Sequence, residues 1–64
     1  MEVSLEQAIE IHARVLKKRA GAHAARKARE RAEQLARAGD HEGHLVWIRV
    51  FETVETLIRQ EGQA

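Results

Sequence analysis

The stretch HLVWIRVFETVETLIRQE, residues 44–61, decides how this chain folds. Val46, Trp47, Ile48, Val50, Phe51, Val54, Leu57 and Ile58 recur at helical spacing within it. At 100° per residue they sweep an arc of about 200°, twice the roughly 100° stripe with which a helix lies on one neighbour. One small core cannot cover so wide an arc. A second surface is therefore expected against this helix, with another copy of the chain as the expected donor.

The remainder of the 64 residues supports that reading. The length allows one domain, and a chain of this size buries only about 60% of its unfolded surface. Small folds compensate with disulfides, a metal or oligomerisation. Cysteine is absent, so no disulfide is available. Hydrophobic residues make up 44% of the chain, but many are alanine, and Trp47 and Phe51 are the only aromatics. The lack of proline and the wealth of Ala, Arg, Glu, Leu and Gln favour helix. No stretch approaches the ~20 apolar residues of a membrane span, and no basic-then-apolar leader opens the chain. The expected location, by elimination, is the cytoplasm.

Working back from residue 44, Gly39-Asp40 is the clearest punctuation: a left-handed helix stop followed by a helix N-cap. Before it, residues 22–38 form an amphipathic pattern with a narrow face of Ala24, Ala25, Ala28, Ala32, Leu35 and Ala36. Small side chains bury little area, so this helix is expected to be a solvated cover. Arg26–Glu30, Arg29–Glu33 and Glu33–Arg37 should form surface pairs. A first helix opens at Ser4, where Ser4-Leu5-Glu6-Gln7 fits a capping box and Val3 and Ala8 a small staple. It carries Leu5, Ala8, Ile9, Ile11, Ala13, Val15, Leu16 and Ala20, again over about 200°. His12 near the middle and Arg19 near the end interrupt that arc. Gly21 is expected to end this helix. An uninterrupted helix from Leu5 to Ala38 is the alternative, and would favour a dimer of two-helix hairpins.

The fold expected is thus all-α, with helices at about 4–20, 22–38 and 41–61. The second and third form a tight hairpin, and association, expected as a homodimer, completes the bundle. The expected interface residues are Leu5, Ile9, His12, Leu16, Trp47, Val50, Phe51, Val54 and Ile58.

Net charge is +1, but residues 14–31 hold eight Lys and Arg against Glu30 alone, between acidic ends. Such a segment can pair within a bundle or attract an external anion. If it binds nucleic acid without sequence preference, Lys17, Lys18, Arg26, Lys27, Arg29 and Arg31 should carry the contacts. No aromatic is interleaved for base stacking and asparagine is absent. A basic amphipathic helix on an anionic membrane is opposed by Glu2, Glu6 and Glu10.

Chemistry has little to stand on. Ser4 and Asp40, the only Ser and Asp, are assigned to caps, and Cys and Tyr are absent. No catalytic site and no cofactor are expected. His41 and His44 share one helical face, yet a structural zinc site wants four ligands, and two more would have to come from His12, His23 or another chain. No metal site is expected, and both are read as exposed polar residues.

The stretch AEQLARAGDHEG, residues 32–43, followed by Val46-Trp47 and Val50, resembles a pattern in short bacterial helical proteins. In those, an Ala-rich helix meets Gly-Asp-x-Glu-Gly and then Val-Trp-x-x-Val. The resemblance covers the C-terminal half. It implies a helical hairpin and no particular activity. It leaves the function open; the wide apolar arcs by themselves point to a protein–protein interaction module: an adaptor, regulator or accessory subunit.

Overall fold

Ser4 starts the first helix as its sequence requires. Its backbone is extended, its hydroxyl accepts from the Gln7 amide at 3.1 Å, and the Gln7 side-chain carbonyl accepts from the Ser4 amide at 3.0 Å. Two otherwise unpartnered helix-end donors are satisfied this way. In this computed structural model, which describes residues 3–62, helix α1 then runs Leu5–Ala20, α2 runs Ala24–Arg37 and α3 runs His41–Gly62. Val3 is 58% exposed and Ala8 is exposed, so the expected staple is not a buried contact.

Gly21 separates α1 from α2, so the uninterrupted-helix alternative does not hold. Its φ of 57° and ψ of −125° point the chain into a short 3-10 turn, Gly21–His23. Gly39, at φ 83°, ends α2. There the Gly39 amide donates to the Ala36 carbonyl and the Asp40 amide to the Leu35 carbonyl, the paired bonds of a Schellman stop.

Asp40 then caps α3. Its Oδ1 accepts from the Gly43 amide at 2.9 Å and its backbone carbonyl from the His44 amide at 3.0 Å. A Cβ on residue 43 would lie 2.5 Å from Asp40 Oδ2, so any side chain there would require the capping carboxylate to shift. Asp40→Ala should lower stability by about 1 kcal/mol. Asp40→Asn, which keeps the acceptor, should lose far less. Paired urea titrations read the difference, and equal losses would refute the cap.

The core is built from small side chains. Ala13, Ala24, Ala28, Ala32 and Val54 are fully buried, with Val50 at 2% and Ile9 at 5% exposure. The α2–α3 hairpin is the most extensive packing, α1 lies against α3, and the α1–α2 contact is slighter. This corrects the expectation that α2 is a solvated cover. Alanines bury little area each, but without atoms beyond Cβ they let two helix axes close on each other. The charged side of α2 does face solvent. It carries Arg26–Glu30 at 3.8 Å and Arg29–Glu33 at 3.4 Å, and the expected Glu33–Arg37 pair is not among those that the described residues form.

Long-range polar contacts mark the orientation of the rest. Glu6 reaches Arg49 (3.7 Å) and Lys17 pairs with Glu61, so α1 runs parallel to α3. The acid-then-base order of α1 meets a base-then-acid order on α3. His44 is half-buried, not exposed as expected. Its Nδ1 lies 2.8 Å from the Ala32 carbonyl. Because a carbonyl only accepts, Nδ1 carries a proton here, and the bond ties α3 to the end of α2.

Candidate interaction surface

The junction of α1 and α3 has two unlike sides. One groove is mostly polar: Glu6, Glu10, Arg14, Arg49, Thr53, Thr56 and Gln60 line it, with Ile9 and Leu57 among them. Arg14 and Glu10 close an ion pair along its rim at 2.9 Å. The other is apolar, lined by Leu5, Ala8, Ile9, His12, Val46, Trp47 and Val50. Water can lie comfortably against the first, whereas the second leaves hydrocarbon exposed.

The apolar groove continues onto the outer face of α1. Leu5, Ala8, His12 and Val15 recur there at intervals of three and four residues, and Ile11 borders them. All five are exposed, with Leu5 at 62%, Ile11 at 56% and Val15 at 44%. Covered neighbours on the same helix, Ile9, Ala13, Leu16 and Ala20, turn toward the core instead. The wide arc of α1 is therefore two faces: one spent inside the chain and one unspent.

His12 belongs to the unspent face. It is exposed, and its ring stands edge-on to Trp47 with centroids 4.8 Å apart and planes at 86°. The expected position in the middle of an apolar arc is thus at the margin of the core. An exposed imidazole needs no protein hydrogen-bond partner, and none is required of the fold here.

The nine expected interface residues are divided by the structure. Leu5, Ile9, His12, Trp47 and Val50 come together at the apolar groove. Ile9, Val50 and Val54, however, are buried within the chain, so they support such a surface from beneath and do not form it. Leu16 and Phe51 are half-buried against the core. Ile58, 37% exposed, lies apart, beside Ala25, Glu55 and Arg59. Ala8, Ile11, Val15 and Val46 belong to this surface and are not among the expected nine. The signal that finds them on α1 is the 5-8-12-15 spacing, visible only once Ile9 and Leu16 are assigned to the core.

The basic segment is partly engaged. Lys17 pairs with Glu61, Arg26 with Glu30 and Arg29 with Glu33, and Arg31 reaches the Gln34 side chain at 3.3 Å. Lys18 and Lys27 are exposed. Lys17 and Lys18 also border a cleft with Arg14, Leu57, Gln60 and Glu61 at the C-terminal ends of α1 and α3. Helix C-termini carry partial negative charge, and cations there complement it without any external ligand. Among the described residues, no three His, Cys, Asp or Glu side chains converge on a point that could hold a metal. No helix among them is long and apolar enough to cross a membrane.

Compared with protein-family models, curated proteins and solved structures, the chain matches none.

Proposed function

We propose that this protein is a small helical interaction module that associates with itself and acts as an adaptor, regulator or accessory subunit without catalysis. One observation carries the reading: the chain exposes more surface than a compact protein of its mass. Its accessible area is 5068 Å², whereas a compact monomer of 7.3 kDa exposes about 4,200 Å². The excess of about 900 Å² per chain is close to the roughly 800 Å² that each partner contributes to a standard interface.

The radius of gyration agrees, at 12.0 Å against about 10.7 Å for a compact 64-residue domain. The packing supports it as well. Among the described residues, Val54 is the largest side chain fully buried, while Trp47, Phe51, Leu16 and Leu57 are covered only in part. Trp and Phe offer the largest areas for a partner to remove from water.

Light scattering across a dilution series, with circular dichroism alongside, tests the proposal. The expected result is a dimer that loses helicity as it dissociates, because one chain buries too little to be stable alone. A Lys27→Glu/Arg31→Glu variant should associate as well as the parent chain. A helical monomer at all concentrations would overturn self-association.

A further inference from the structure

We infer that the self-associated form of this protein is a domain-swapped dimer. In it, α1 straightens onto α2 at Gly21 and packs against α3 of a second copy, in the place it holds on its own α3 in the closed chain. This rests on the self-association proposed above and names the element exchanged. The contact that changes hands is the one between α1 and α3, so both of its sides are already on view in the structure.

The two joints of the fold are built differently. Between α2 and α3, the paired bonds at Gly39, the Asp40 cap and the bond from His44 to Ala32 hold the turn. Between α1 and α2, among the described residues, no side-chain hydrogen bond caps the start of α2, and its first turn holds no acid. Gly21, Ala22 and His23 are exposed, and nothing crowds the space beside Gly21. The residues around them, Ala20, Ala22, Ala24 and Ala25, are the strongest helix formers. A continuous helix would give the first amides of α2 the carbonyls of the last turn of α1 as partners. The closed turn thus depends on one backbone conformation, that of Gly21, and short hinges of this kind invite exchange.

α1 is also the helix whose bonds are easiest to transfer. It meets α2 only slightly and lies mainly on α3. To the core it contributes Ile9 and Ala13, with Leu16 and Ala20 packed beside them. Two ion pairs, Glu6–Arg49 and Lys17–Glu61, tie its two ends to α3. All of these re-form on the α3 of a second copy with the same partners, because that α3 is identical.

The directions of the helices permit the exchange. In the closed chain α1 runs parallel to α3, and α2 runs antiparallel to it. A straight rod of α1 and α2 therefore runs antiparallel to its own α3 and carries α1 past the end of α3 near Glu61. A two-fold axis across the rod near Gly21 sets the second α3 beside this projecting α1. The axis also reverses that α3, so the two run parallel, the sense that the ion pairs require. Each copy gives one α1 and receives one, which closes the assembly at two.

The absence of cysteine makes a clean test possible. Glu6 and Arg49 are exposed, and their side chains meet across the contact of α1 with α3, so a thiol at either position leaves the core intact. Glu6→Cys and Arg49→Cys chains are mixed in urea and refolded together at a concentration where light scattering shows a dimer. A short bis-maleimide is then added. The expected product is a covalent pair of one Glu6→Cys and one Arg49→Cys chain, with neither variant linking to itself. A dimer in which the doubly substituted chain links only within itself, and the mixed chains do not link, would overturn the swap and leave self-association standing. A monomer at all concentrations would overturn both. Gly21→Ala gives a second readout, because it favours the straight rod twice per dimer. In dilute solution that variant exposes Ile9 and Ala13, and where copies meet the second α3 covers them. Its dimer should persist to concentrations more than about tenfold below those of the parent chain. Unchanged or weaker dimerisation would overturn the hinge.

Discussion

Replacing Gly21 by alanine is expected to cost about 1–3 kcal/mol and to release α1 from α3. The backbone at Gly21, φ 57° and ψ −125°, is outside the left-handed helical region that Asn or Asp tolerate, because there ψ is near +47°. Any Cβ of L configuration meets its own backbone. No other atom lies within 4 Å of the position such a Cβ would take, so the penalty is one of backbone conformation and owes nothing to crowding. The chain also has an escape. An alanine between Ala20 and Ala22 completes a run of good helix formers, and α1 would run straight into α2. α1 could then no longer fold back, and Ile9 and Ala13 would lose their buried places.

A domain of 64 residues has a total stability of about 3–10 kcal/mol, so the loss is a large share of it. The diagnostic pattern is far-ultraviolet circular dichroism that holds steady or grows while the near-ultraviolet signal of Trp47 fades. D-alanine at position 21, introduced by synthesis, reverses the steric argument and should match or exceed glycine in stability. Equal stabilities for the chains carrying L- and D-alanine would refute the account.

Ala28→Leu is the second large effect. On sequence grounds it looks favourable, since leucine is a good helix former and more apolar than alanine. The structure reverses the sign. Ala28 is fully buried in the middle of the α2–α3 contact, between Ala24 and Ala32, which are also fully buried. A leucine there must push two helices apart or take a strained rotamer, at a cost of typically about 1–3 kcal/mol. Ala36→Leu, at an exposed position near the end of the same helix, should change stability by no more than about 0.5 kcal/mol. Denaturation midpoints of the two variants separate packing from propensity. A stabilised Ala28→Leu chain would show that α2 does not lie where the structure puts it.

These two variants mark where reading the chain succeeds and where it stops. Ser4 with Gln7, and Gly39 with Asp40, act through partners within a few residues. Their hydrogen-bonding chemistry is therefore complete in the local sequence, and the boundaries of α1, α2 and α3 follow closely. The closeness of residue 43 to the Asp40 carboxylate is not visible there, because it depends on where that side chain lies in three dimensions. Gly21 is legible as a plausible stop, but the choice between stopping and continuing depends on whether α1 gains more by folding back on α3. That gain is a tertiary quantity.

The interface residues divide in the same way. Trp47, Val50, Phe51 and Val54 share a wide apolar arc in the sequence, and nothing in their spacing says which of them the chain itself will cover. α2 decides it. By approaching α3 on alanines it buries Val54 and leaves Trp47 half-covered beside His12. On α1 the split is between Ile9 and Ala13, taken by the core, and Leu5, Ile11 and Val15, left outside. Three helices, their caps and an apolar surface larger than one chain can bury are thus written in the order of residues. Which part of that surface stays open is set by how the helices pack. Hydrophobic burial is non-directional and is satisfied by any neighbour, whereas a cap is satisfied only by the atom a few residues away.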